Sequence, residues 1–144
     1  WNYRMSGLQA AFGISQISSI EKTIENKIKQ ASIYNNILAE SENLQIPLIS
    51  NHGSRNHYWV YGVILKSKSR DELSSYLHNE GIQTRNFFWP LHMQKVLQQE
   101  FKPKDSLQVS ESLGRKGLYI PMGDHLSKQD QITIARKLLT FTDG

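Results

Sequence analysis

The run HYWVYGVIL, residues 57–65, is apolar on both of its alternating faces: Trp59, Tyr61, Val63 and Leu65 fall on one, Tyr58, Val60 and Ile64 on the other. A strand of this kind is stable only when covered on both sides. The rest of the chain therefore has to supply a layer above it and a layer below.

Helical patterns stand on either side of that strand. From Ser6 onward Leu8, Ala11, Phe12, Ile17, Ile20, Ile24, Ile28, Ala31 and Tyr34 recur largely in steps of three and four, with Glu21, Lys22, Glu25, Lys29 and Gln30 on the opposite side. Ser18 and Ser19 are poor interior helix formers and good caps, so two helices in succession are expected, with the second restarting on those serines. After Pro47, ISNHGSRN reads as a loop. SRDE at 69–72 spells a capping box for a third helix, with Leu73, Tyr76 and Leu77 on its inner face and Gly81 as its left-handed stop.

IQTRNFF alternates as a strand that Pro90 ends, because proline cannot donate to a sheet ladder. Residues 93–101 read as a short helix, KPKD as a turn, and SLQVSESLGRKG as another short helix stopping near Gly114 to Gly117. LYIPMG offers a short strand broken by Pro121. Ser127 caps a last helix through Ile132, Ala135, Leu138 and Leu139, with Asp130 completing a capping box built on the shorter acid. This order predicts an α+β fold: leading helices, then a small sheet of about three strands with helices packed on it.

Composition excludes several classes of function. At 144 residues the chain has the size of one domain, and 38% hydrophobic content with three Trp, six Tyr and five Phe is that of a soluble globular protein. The formal charge of +4 is scattered. Its tightest cluster, Lys66, Lys68 and Arg70, is followed at once by Asp71 and Glu72, so no nucleic-acid partner is expected. With no Cys there is no disulfide and no thiolate site. No stretch approaches the roughly 18 to 20 apolar residues of a membrane span, so no membrane partner is expected and a cytoplasmic location is. The chain opens on Trp1, inside WNYRM, which is expected of a piece cut from a longer protein.

The chemistry-bearing residues are sparse. His52, His57, His78, His92 and His125 show no helical pair at metal-ligand spacing, and no metal site is expected. No phosphate-binding loop, GxGxxG or nucleophile elbow is present. His92 differs in its setting: NFFWPLHMQ places it just past Pro90, beside Phe87, Phe88 and Trp89, where a strand gives way to a loop. The residues alone leave two readings open, a site histidine and a packed loop histidine.

Taken in order, NYRMSGLQAAFGISQ, HYWVYGVIL, SRDELSSYLHNEGIQTRNFFWPLHMQ and LYIPMGDHLSKQDQ resemble the DegT/DnrJ/EryC1/StrS family of pyridoxal-phosphate-dependent sugar aminotransferases, from about Asn2 to Leu139. The resemblance implies linker and interface helices over residues 1–46 and the family's small C-terminal α+β domain over residues 47–144. It also implies a missing N-terminal cofactor domain that carries the cofactor lysine, so no catalytic residue is assigned in this chain.

The implied reaction moves an amino group, usually from glutamate, onto a nucleotide-linked keto-deoxysugar, in cell-surface polysaccharide or antibiotic sugar biosynthesis, in a homodimer. By the same resemblance Asn2 reaches the cofactor phosphate held by the neighbouring subunit, and Arg4 either helps there or forms a structural salt bridge. Phe88 and His92 become substrate contacts. Arg85 faces either a diphosphate or solvent, the alternation of its strand favouring solvent. Trp1 stands where the family more often has Tyr, Phe or His, and Met122 with Asp124 departs from a PSG-like pattern. Two alternatives stay open: a dehydratase of the same family, and a non-enzymatic interaction module.

Overall fold

The computed structural model describes residues 1–97 and 105–144. Helix α1 (Gly7–Ile17) starts in a complete capping box, the Ser6 hydroxyl accepting from the Gln9 N–H and the Gln9 side chain accepting from the Ser6 N–H at 2.9 Å. Helix α2 (Ile20–Leu38) follows it, so the expected break is present. The serines at the break do a different job from the one anticipated. Ser18 Oγ and Ser19 Oγ donate to the carbonyls of Ser15 and Gln16, at 2.7 and 3.2 Å, and Ser19 makes no side-chain cap to α2. They close the end of α1 instead of opening α2, because the last carbonyls of a helix are themselves unsatisfied acceptors.

The core sheet has four antiparallel strands, one more than the sequence pattern suggested. β1 (Leu44–Gln45), β4 (Tyr61–Leu65), β6 (Gly117–Ile120) and β5 (Arg85–Asn86) lie in the order β1-β4-β6-β5. Between β1 and β4 the expected loop contains a small hairpin, β2 (Ser50–Asn51) with β3 (Ser54–Arg55). His52 and Gly53 turn it with φ of 47° and 82°, the pair of positive values that a tight two-residue turn needs.

Val63 pairs with Leu118 and Tyr61 with Ile120, so these four share one face. On that face lies the core: Ala31, Tyr34 and Leu38 of α2, Leu73 and Leu77 of helix α3 (Arg70–Asn79), and Ile134, Ala135 and Leu138 of helix α5 (Lys128–Asp143). Each fully buried leucine contributes roughly 1.5–3 kcal/mol relative to exposure. The other face is covered too, by helix α4 (Gln108–Lys116) and by Phe87, which lies against Gly62 and Gly117.

Coverage on both sides thus holds for residues 61–65 but not for the whole of the run. Tyr58 takes φ of 49°, which breaks the alternation: Tyr58 turns inward and stacks on Tyr61, while Trp59 is left 73% exposed. The α1–α2 stripe is also divided. Leu8, Phe12, Ile17 and Ile20 are exposed, and the stripe reaches the core from Ile28, which packs partly buried against it, through the fully buried Ala31 and Tyr34.

The Ser69 box is half formed: its hydroxyl accepts from the Glu72 N–H at 3.4 Å, with no return bond from the Glu72 carboxylate. Gly81, at φ 76°, ends α3 as expected, with the Ile82 N–H reaching back to the Leu77 carbonyl at 2.8 Å. The Ser127–Asp130 box is complete. Where a helix was expected over residues 93–101, a short 3-10 turn (Leu91–Met93) is found, and residues 98–101 lie outside the described residues, as does all of the KPKD turn except Asp105.

Candidate functional site

Phe87 anchors the loop that follows β5. Its N–H donates to the Gly117 carbonyl at 3.1 Å, and its ring stacks on Tyr119 with centroids 4.4 Å apart. A methyl group at Gly117 would stand 2.1 Å from the Phe87 ring and one at Gly62 would stand 2.6 Å away, so two glycines in adjacent strands make the bed for this ring. Three residues further on, Pro90 is buried against Gly114, where a Cβ would come within 2.7 Å of the proline ring. Arg70 supports that notch, donating to the Gly114 carbonyl at 3.1 Å and pairing with Asp71 at 2.6 Å. The basic cluster at 66–70 is thereby dispersed, Lys68 reaching instead to the Phe141 carbonyl.

With Phe87 and Pro90 fixed, the residues between and beside them are presented outward. Phe88 is 59% exposed, edge-on to Tyr119, and the Arg85 guanidinium lies 4.9 Å from its ring centre. Arg85 is exposed, as its alternation suggested, and it shares a sheet face with Tyr119, its partner across β5 and β6. The result is a cation beside an open aromatic face, suited to flat or anionic groups. His92 behaves differently. Its side chain is only 9% exposed, and Nε2 lies 3.2 Å from Glu111 Oε1 on α4. Glu111 in turn accepts from Arg115 at 2.8 Å. The ring is thus packed, within the loop that presents Phe88.

A second constellation lies before α1. The Arg4 Nε–H donates to Asn2 Oδ1 at 2.9 Å, and both side chains are exposed. With its carbonyl oxygen engaged, the Asn2 carboxamide offers its N–H donors outward, beside a guanidinium and a helix start whose first turn carries no acidic residue. An all-donor set of this kind fits the phosphate end of pyridoxal phosphate. Among the described residues, no hydrogen bond or ion pair links this set to the loop after β5. A groove of about 630 Å³ between Gly81–Gln83, Pro121–Met122 and α5 contains Met122 but none of the five site candidates. Also among the described residues, no group of His, Asp and Glu could hold a metal ion, and no helix is long and apolar enough to cross a membrane.

Residues 1–139 match the model of the DegT/DnrJ/EryC1/StrS aminotransferase family. The chain belongs to this family. A GDP-perosamine synthase of Vibrio cholerae is 33% identical over 124 residues, covering 84% of this chain and 33% of that protein. The crystal structure of a DegT DnrJ EryC1 StrS aminotransferase from Brucella abortus superposes with a TM-score of 0.82 at 28% identity, over 98% of this chain and 37% of that one. PseC of Helicobacter pylori, an aminotransferase of pseudoaminic acid biosynthesis, gives 0.85 at 19% identity over 99% and 39%, which speaks for the fold. The α+β architecture is that of these aminotransferases, and the chain spans about a third of the length of the relatives it matches.

Family membership accounts for the motifs but not for the supports beneath them. Gly62, Glu111 and Tyr119 were not singled out from sequence, and Phe87 and Gly117 entered only as a neighbour of His92 and as a helix end. Gly62 did carry a signal, since a glycine inside an apolar strand marks a close approach. Glu111 carried none, being one acid on a short helix.

Proposed function

We propose that the chain is the carboxy-terminal part of a pyridoxal-phosphate-dependent aminotransferase acting on a nucleotide-linked keto-deoxysugar, with glutamate as amino donor. Membership of the family and the sugar-synthase relatives support the class. The observation that carries the reading is the exposed all-donor pair Asn2–Arg4 at the start of α1. The bound cofactor would supply the electron sink for amino transfer. The work of this chain is then binding and orientation: the Asn2 N–H and the Arg4 guanidinium hold a phosphate, and the α1 dipole adds to that field.

In β5 and the loop after it, Phe88 gives a stacking face, Arg85 a charge for a diphosphate, and His92 a hydrogen-bonding nitrogen. Residues 1–46 serve as linker and interface and residues 47–144 as the small domain. The exposed Leu8, Phe12, Ile14 and Ile17 are apolar surface spread around α1 that the N-terminal cofactor domain and a second subunit of a cytoplasmic homodimer would cover.

The test is cofactor retention in the full-length parent. Asn2→Ala removes one hydrogen bond to a charged group, about 1.5–3 kcal/mol, and so should weaken pyridoxal phosphate binding by roughly tenfold to a hundredfold. Unchanged affinity, measured by dialysis and absorbance, would remove Asn2 from the phosphate site.

A further inference from the structure

His92 and Glu111 belong to different elements and meet where the 3-10 turn passes over α4. The His92 ring is 9% exposed and its Nε2 lies 3.2 Å from Glu111 Oε1, while Glu111 Oε2 accepts from the Arg115 guanidinium at 2.8 Å, one turn along α4. A carboxylate paired with a guanidinium has no proton to donate, so the proton of this contact sits on Nε2. In the neutral ring Nδ1 is then a bare acceptor. Nothing among the described residues hydrogen-bonds Nδ1, and it is not one of the polar atoms sealed from solvent.

We propose that Glu111 is the positioning residue of this loop: its carboxylate fixes His92 as the Nε2–H tautomer and leaves Nδ1 as an acceptor for a hydroxyl of the ligand. The inference rests on the reading of the loop as the sugar-nucleotide site, whose ligand carries hydroxyl donors. Arg115 acts through Glu111, holding the carboxylate so that only one tautomer is compatible with the packed ring. A ligand lacking the hydroxyl would leave Nδ1 without its donor, so Glu111 would also govern discrimination at that position.

Two measurements separate the positioning from the ligand. In the chain labelled with isotopic histidine, at a pH high enough for the ring to be neutral, proton–nitrogen correlation spectra should show His92 with a protonated Nε2 and a bare Nδ1. Glu111→Ala and Glu111→Gln should both populate the second tautomer; the glutamine variant decides if the alanine variant unfolds. A His92 that is Nδ1–H in the unaltered chain, or that keeps one tautomer in both variants, would overturn the proposal. In the full-length parent, Glu111→Gln should raise KM for the nucleotide sugar about tenfold, the scale of one lost hydrogen bond, with pyridoxal phosphate affinity unchanged. If the tautomer shifts while KM stays, the loop is not the sugar site and the ligand half falls with that reading. If KM rises while the tautomer stays, the loop reading survives and the positioning role does not.

Discussion

Replacing Gly117 with alanine would place a methyl carbon 2.1 Å from Phe87 Cδ2 and 2.2 Å from Cγ. Those atoms are the root of the ring, so no small swing of its far edge relieves the clash. The backbone itself accepts alanine, at φ −85° and ψ 137°, and the loss of glycine's freedom in the unfolded chain favours the variant by about 0.4–1 kcal/mol. Against this, overpacking costs about 1–3 kcal/mol, and displacing Phe87 from its 4.4 Å stack on Tyr119 costs about 0.5–1.5 kcal/mol more. The net is a destabilisation of about 2 kcal/mol, or a fall in Tm of about 8 °C for a chain of this size. Thermal and urea unfolding followed by circular dichroism measure it. In a Phe87→Ala background the clash is gone, so the same glycine change should be neutral or mildly stabilising. A Tm that does not fall in the single variant, or falls equally in both backgrounds, would refute the idea that Gly117 exists to seat Phe87.

Alkaline stability should depend on the buried tyrosines. Burial pushes the Tyr34 hydroxyl up to about 12 and also raises Tyr61, while unfolded phenols ionise near 10. The folded state therefore keeps protons that the unfolded state loses. Their stabilisation is complete below about pH 10 and is lost as pH rises through the folded-state values. Urea midpoints should be flat up to about pH 9 and fall above it, less steeply in Tyr34→Phe; an equal slope in that variant counts against this account. In the full-length parent, His92→Ala should raise KM for the nucleotide sugar about tenfold with cofactor affinity intact; unaltered kinetics return His92 to a packing role. The chain alone, mixed with pyridoxal phosphate, should give no stoichiometric band that borohydride fixes, and such a band would mean that a lysine within these residues takes the cofactor.

Some of this protein is written in local sequence, because local backbone chemistry fixes it. The Ser6, Ser69 and Ser127 starts, the Gly81 stop, the break after Ile17 and the 61–65 core strand all follow from caps, positive φ and period-two patterning. The family motifs are equally local, since they are strings of residues.

Other features were settled by contacts between distant segments. Trp59 faces outward because Tyr58 turns inward to stack on Tyr61 and to meet Asn35 of α2. The two-residue strand β1 exists through its pairing with β4, too short to carry a pattern of its own, and of the strand expected over IQTRNFF only Arg85–Asn86 is paired, against β6. Phe87 needs glycines at positions 62 and 117, and the state of His92 depends on Glu111, 19 residues away in the chain. Periodicity records which face a side chain occupies. Which particular group it meets there is decided only when helices and strands close on one another, and in this protein that closure is what turns an exposed loop into an oriented set of Arg85, Phe88 and His92.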